Sequence, residues 1–199
     1  MGHHQQRRVR AVTRGFKAAR GGRVSVRLSA VEVRVLEDVF SQVAELVAPP
    51  KTADADPLAV ALGLEELDSS VDVTEMGQFG QDPVIDRLFP PGYEDEDKAV
   101  EFRRFTELGL RRQKQGNAQA VLESLTEGGK VTLDGDQAQA WLLGLNDARL
   151  ALATRLGIES DADHDRLREL PEDDERAVNY AVYDFLTFLQ ESLVEAMSR

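Results

Sequence analysis

The chain has 199 residues, of which 42% are hydrophobic and 30% are charged, and its formal net charge is −12. This composition is typical of a compact globular protein and excludes an intrinsically disordered chain. No apolar run approaches the ~20 residues of a membrane span, and the lack of cysteine excludes disulfides, thiol catalysis and thiolate metal sites. We therefore expect a cytoplasmic protein that forms a single domain over residues 1–199.

The charges are unevenly distributed along the chain. The first 31 residues contain eight basic side chains and no acidic one, whereas all 36 acidic residues follow them. The eight are Arg7, Arg8, Arg10, Arg14, Lys17, Arg20, Arg23 and Arg27. Because the acidic remainder repels nucleic acids and anionic membranes at long range, this N-terminal segment is the basic surface through which a partner could bind.

Residues 8–28 are predicted to form an antiparallel β-hairpin. Val24 and Val26 alternate with polar residues, which is the period-two pattern of a half-buried strand. Gly21-Gly22 supplies the positive φ angles of a tight turn, and a slip in the alternation before Phe16 indicates a β-bulge. Both strands are expected to turn arginines toward one face.

Four long helices are predicted from apolar residues that recur at helical spacing. They cover residues 30–48, 95–126, 134–156 and 172–197. Ser29 and Glu32 form a capping box before the first helix. Asp134 and Gln137 form another before the third helix, which Gly157 ends. The elements together predict an α+β, mainly α, fold: a bundle of four major helices with a small N-terminal antiparallel β-hairpin.

Shorter segments connect these helices. Residues 49–81 have no clear period and are predicted to be a mobile linker region, and Asp82-Pro83 starts a short helix that ends near Phe89. Residues 130–133 are predicted to be extended, and the sheet becomes three-stranded if this segment pairs with the hairpin. Residues 158–170 are rich in charge and are predicted to be a loop.

The arginine face of the hairpin is the first candidate interaction site, represented by Arg8, Arg10 and Arg27. Such a face could follow a nucleic acid backbone, with a counterion released for each neutralised phosphate. It could equally contact a protein partner, or dock on the acidic body of its own chain or of a second copy. The near absence of aromatic residues in this segment argues against stacking on single-stranded bases.

A second candidate site lies where the last two long helices are expected to meet. Arg149 continues an apolar stripe of its helix, so we expect it to be partly buried and to need an acceptor. Asp184 or Glu191 on the last helix are the candidate acceptors, and Asn146 lies close by in sequence. This edge is predicted to be either a polar groove for a partner or an internal network that fixes helix register.

No constellation in the sequence demands an enzyme. The P-loop, dinucleotide-binding and nucleophile-elbow motifs are absent, and His164 lies among aspartates without the glycine and distal glutamate of a calcium loop. The 36 acidic residues produce carboxylate pairs by chance, so spacing alone selects no general acid and base. We therefore predict no catalytic residue, no metal site and no cofactor.

Motifs along most of the chain carry a resemblance to a known family. After the arginine-rich opening strand they lie at residues 101–107, 117–122, 131–134, 140–142, 145–150, 154–157, 180–184 and 189–193. In this order they resemble an actinobacterial family of unknown function, number two thousand and seventeen among the domains of unknown function. Residues 49–81 and 158–170 match the family poorly.

The resemblance implies a small cytoplasmic protein whose gene often lies near that of the Clp protease adaptor for N-terminal degrons. It assigns no role to any individual residue. We therefore expect an accessory protein that binds another protein and is linked to regulated Clp proteolysis. The alternative is a nucleic-acid-binding regulator that uses the arginine-rich hairpin. No membrane association is expected, and a homodimer formed through the edge of the hairpin is left open.

Overall fold

The computed structural model describes residues 14–49, 82–90, 96–171 and 173–199, with the helical backbone alone over residues 96–105. The strands are β1 (Arg14–Ala19), β2 (Arg23–Arg27) and β3 (Lys130–Leu133). The helices are α1 (Ala30–Leu46), α2 (Pro83–Leu88), α3 (Glu96–Ser124), α4 (Gly135–Leu156), α5 (Asp161–Arg168) and α6 (Glu175–Met197). The predicted α+β, mainly α, fold with four long helices is confirmed.

The predicted segments outside the described residues are the start of the hairpin, residues 8–13, and all but residue 49 of the predicted linker region over 49–81. None of the helices that the structure describes combines the length and the apolar character needed to cross a bilayer. The last long helix begins at Glu175, three residues later than the sequence indicates. The reason is that the side chain of Asp174 accepts a hydrogen bond from the backbone N–H of Arg176 and so caps the helix at this point.

The hairpin is part of a three-stranded antiparallel sheet with the order β1-β2-β3. Gly21 and Gly22 have φ angles of 74° and 69° in the turn between β1 and β2, which side chains with a Cβ rarely adopt. The register shifts by one residue between Arg14 and Lys17, and this confirms the predicted bulge. The free edge of β1 is covered by α6, where Ser192 Oγ accepts the Phe16 N–H at 3.0 Å.

Trp141 of α4 lies at the centre of the core and is fully buried. Its ring meets Phe16 of β1 edge to face, with the ring centroids 5.4 Å apart, and lies 6.5 Å from the ring of Phe40 on α1. Its Nε1–H donates to Ser124 Oγ of α3 at 2.7 Å. One side chain therefore joins the sheet and three helices.

Residues 161–168 form helix α5, so the predicted loop over residues 158–170 is wrong in its central part. The carboxylate of Asp163 accepts the N–H groups of Glu159 and Ser160 at 3.0 and 2.8 Å, which satisfies donors before the first turn. Leu167 then packs with the tyrosines of α6. The high charge of this segment belongs to the exposed side of a short amphipathic helix.

A substitution at Gly116 tests the continuity of α3, which runs through this residue without a break. An added Cβ would meet no heavy atom within 4 Å, so Gly116→Ala is expected to raise the free energy of unfolding by about 1 kcal/mol, since glycine is a poor helix former. Urea unfolding followed by circular dichroism measures this change. The control is Gly144→Ala, whose Cβ would lie 3.1 Å from Phe40 Cε1 and should destabilise the core. A less stable Gly116→Ala would show that α3 is interrupted there.

The Asp163 cap predicts a pH dependence of stability. Hydrogen bonds from the Glu159 backbone and the Ser160 side chain lower the pKa of Asp163 from its ordinary 3.8 to about 2. A carboxyl whose pKa is lower in the folded state stabilises the protein above its unfolded pKa, and this stabilisation is lost as the pH falls toward the folded pKa. Asp163→Asn should therefore have a lower Tm than the wild type at neutral pH, and the difference should shrink between about pH 4 and pH 2. A difference that is independent of pH in thermal unfolding would contradict this assignment.

Candidate functional site: the outer face of the sheet

The three strands separate apolar and cationic side chains onto opposite faces of the sheet. The inner face packs against the core and is buried; its residues include Phe16, Val24, Val26, Val131 and Leu133. The outer face is exposed, and its charged residues are Arg14, Lys17, Arg23, Arg27 and Lys130. We call these five residues the cationic face. The separation follows from the period-two geometry of a strand, in which successive side chains point to opposite sides.

The register aligns three of these cations in one row across the sheet. Arg27 on the central strand is paired with Arg14 on one side and with Lys130 on the other. Leu28 N–H donates to Gly129 O at 2.7 Å, so the neighbouring pair of Arg27 and Lys130 is a non-hydrogen-bonded pair, in which side chains approach most closely. In the next row, Lys17 lies opposite Ser25, which lies opposite Thr132.

The cationic face makes no ion pair with any carboxylate in the part of the chain that the structure describes. Like charges placed directly opposite each other on neighbouring strands destabilise a sheet. The row therefore lowers the stability of the sheet, and no described carboxylate pairs with it to offset this repulsion. Of the arginines predicted for this site, Arg27 occupies the centre of the row, whereas Arg8 and Arg10 lie outside the described residues.

Lys130 is a member of this face that was not predicted from the sequence. The signal was present in the alternation of Lys130, Val131, Thr132 and Leu133, which have the burial pattern of a strand with one exposed side. The pairing partner of a four-residue strand cannot be read from its own sequence, because the contact joins residues about a hundred positions apart in the chain. The structure supplies that pairing through the β2–β3 ladder.

Arg149, the central residue of the second candidate site, is bound internally. Its Nε and Nη1 donate to Thr187 Oγ1 at 2.8 Å and to Gln190 Oε1 at 2.6 Å, and its Nη2 donates to Tyr183 OH at 3.3 Å. The guanidinium carbon also lies 5.4 Å from the centre of the Tyr183 ring. Three neutral acceptors on α6 therefore satisfy this partly buried cation, as a structural network requires.

The acceptors differ from the predicted ones for a geometric reason. Tyr183, Thr187 and Gln190 are spaced by four and three residues, so they lie on the side of α6 that faces α4. Asp184 is one position further along and is rotated about 100° around the helix, where it is exposed. Asn146 is exposed as well. Arg149, Asn146 and Asp184 therefore have different environments, and no contact among the described residues joins all three.

Aromatic side chains fill the adjoining part of this edge. Tyr180 and Tyr183 stack with their ring centroids 6.0 Å apart, and His164 Nδ1 lies 3.2 Å from Tyr180 OH. Burial raises the pKa of Tyr180, and the negative charge of Asp184 raises it further. These rings pack α5 onto α6, so the described part of the edge is a packed contact between helices.

Buried charges also hold α2 against the bundle. Arg111 Nε donates to Glu107 Oε1 at 2.8 Å, with both side chains almost fully buried, and the Arg111 guanidinium lies 4.7 Å from the centre of the Phe89 ring. Lys114 Nζ donates to Asp147 Oδ1 at 2.6 Å. Burial raises the pKa of Asp147 although this ion pair opposes the shift. These pairs link α2, α3 and α4, which is a structural role.

A groove of about 360 Å³ lies between α1, α4 and α6. Its side chains are mostly aliphatic, and Asp38 is the one carboxylate among the described residues that line it. General acid–base catalysis of the kind found in hydrolases uses two titratable groups with separated pKa values. The described lining of the groove does not bring two carboxylates together.

A comparison with known families identifies the chain. The family described as a domain of unknown function, DUF2017, matches residues 13–197, which is nearly the whole sequence. The chain belongs to this family. The resemblance predicted from the sequence is thus confirmed, and the description of the family assigns no activity, ligand or residue role.

The chain also has curated mycobacterial relatives. A Mycobacterium leprae protein with the provisional name oxidative stress regulator AosR is 32% identical to this chain over an alignment of 179 positions, and the coverage is 76% of this chain and 81% of the relative. The oxidative stress regulators AosR of Mycobacterium tuberculosis H37Rv and Mycobacterium bovis are each 32% identical to this chain over an alignment of 128 positions, and the coverage is 57% of this chain and 57% of the relative. No solved structure matches the chain significantly.

Substitutions along the α4–α6 contact test whether Arg149 has a structural role. Arg149→Ala removes three hydrogen bonds and the packing of the side-chain stem, so the free energy of unfolding should fall by about 1–3 kcal/mol. Asn146→Ala and Asp184→Ala serve as exposed controls and should change it by less than about 0.5 kcal/mol. Chemical denaturation measures all three. If Arg149→Ala left stability unchanged, the network would not be what joins these helices.

Proposed function

We propose that the protein is a noncatalytic regulatory protein that acts by binding another macromolecule through its cationic face. The observation that carries the proposal is the row of Arg14, Arg27 and Lys130, which lie side by side without an ion pair among the described residues. Such a row does not improve the stability of the sheet. Binding to acidic groups of a partner accounts for its presence.

The curated relatives support the regulatory part of the proposal, because they are named as regulators of oxidative stress and not as enzymes. Many redox regulators respond to oxidants through a cysteine thiolate. This sequence contains no cysteine, so its 199 residues cannot sense an oxidant by that chemistry. We therefore place its action at the level of binding, with any thiol chemistry of the response carried by another molecule.

A more specific form of the proposal links the protein to regulated Clp proteolysis in the cytoplasm. Its support is the gene proximity that the family resemblance implies. An accessory protein of a protease needs a surface that the adaptor or the chaperone can recognise, and the cationic face is a surface of the required kind. Purified Clp adaptor and chaperone are therefore the first partners to test.

Affinity purification from extract of the source organism tests the general proposal. The wild type and the triple variant Arg14→Glu, Arg27→Glu, Lys130→Glu are compared at low salt by quantitative mass spectrometry. We expect a partner that is enriched with the wild type and lost with the variant, because charge reversal turns attraction into repulsion. Enrichment of the Clp adaptor or chaperone would support the specific form, and its absence would remove that form alone.

The matched control is Arg155→Glu, since Arg155 is an exposed arginine at the end of α4, away from the sheet. This variant should retain the partner. Equal recovery of every protein with the wild type and the triple variant would overturn the proposal that the cationic face is the binding surface. Circular dichroism of both variants verifies that they remain folded.

A further inference from the structure

We infer that the cationic face binds a short acidic polypeptide segment of the partner, with Arg27 as the central contact. This inference rests on the proposed function and adds the chemical class of the ligand. Carboxylates, phosphate polymers and anionic lipid surfaces are all attracted to cations. The shape and the composition of the face favour carboxylates of a protein segment.

The spacing of the face suits closely spaced carboxylates. Neighbouring strands lie about 4.8 Å apart, so the row from Arg14 through Arg27 to Lys130 is about 10 Å wide. Guanidinium groups bind carboxylates by two parallel hydrogen bonds. Arg27 has a cation on either side, and an acidic side chain above it would reduce two repulsive contacts at once.

The size of the face disfavours nucleic acid. Five residues of strand extend over about 17 Å, and duplex DNA of that length carries about ten phosphates. The described face presents five cations, which are half that number. The rest of a duplex would extend past the face and would be repelled by a chain whose formal net charge is −12. A short acidic segment ends within the face and avoids this repulsion.

The composition of the face argues against single-stranded nucleic acid and against a lipid surface as its ligand. Nonspecific binding of single strands uses aromatic side chains on which bases stack, and the inward orientation of Phe16 removes the aromatic ring of β1 from the outer face. Binding to a lipid surface is stabilised by apolar side chains that enter the bilayer interface. The uncharged residues of the described outer face include Ser25 and Thr132, which are hydrogen-bonding groups.

Fluorescence anisotropy with two labelled probes tests the inference. The probes are a peptide of about eight glutamates and an oligothymidylate of equal charge, each titrated with full-length protein at about 50 mM salt. We expect the peptide to bind more tightly, and Arg27→Glu to weaken it at least about tenfold, equivalent to about 1.4 kcal/mol. Arg155→Glu should leave the affinity unchanged, and Arg27→Lys should retain most of it.

A stability measurement separates a binding role from a structural one. Arg27→Gln removes a charge from a repulsive row, so it should weaken peptide binding while leaving the urea midpoint equal to or above that of the wild type. A lower midpoint would show that Arg27 is needed for folding and would overturn its assignment as a binding residue.

The remaining outcomes separate this inference from the proposed function. Tighter binding of the oligothymidylate, with a steep loss of affinity in salt, would overturn the acidic polypeptide in favour of nucleic acid. Failure of the peptide to bind would overturn the inference too, even if affinity purification still captured a partner through the cationic face. Equal recovery of every protein with the wild type and with the triple charge-reversal variant would overturn the proposed function itself.

Discussion

The fold depends on the burial of one indole side chain. Trp141 contacts Phe16 of the sheet and Phe40 of α1, and its N–H group donates to Ser124 of α3. A fully buried tryptophan needs a partner for that N–H group, and Ser124 provides it while donating in turn to the Val121 carbonyl oxygen. The contact with Phe16 fixes which side of the sheet faces the core. It thereby also fixes which side faces solvent.

The orientation of the sheet separates two classes of arginine among the described residues. Arg149 and Arg111 lie between helices and donate to acceptors within 3.5 Å, so their charges are satisfied by the protein itself. Arg27 and its neighbours lie on the opposite side of the sheet from Trp141, where the described residues bring no carboxylate within reach. Burial of a cation requires acceptors, whereas exposure does not. The first class stabilises the fold, and the second remains available for a partner.

Much of the fold could be predicted because its signals are local. The capping boxes at Ser29 and Asp134 are both present, and Gly157 adopts the left-handed conformation expected after α4. Helix α5 was missed because it is short and has a single buried residue, Leu167. Its sequence is dominated by charged residues, which are equally typical of a loop. The acceptors of Arg149 were missed as well, because the side of α6 that faces Arg149 carries Tyr183 and not the neighbouring Asp184. A rotation of α6 about its axis by one residue would place Asp184 there instead. That rotation is set by how two helices pack, not by the sequence of either one.

Local sequence patterns specify the segregation of charge, the alternation of Val24 and Val26 with basic residues, and the ends of the capped helices. These features depend on neighbours within a few positions in the chain. Long-range contacts set two further features: β3 pairs with β2, which places Lys130 beside Arg27, and α6 covers the outer edge of β1 through Ser192. Such contacts join residues far apart in sequence, and their register is selected by the packing of the whole core.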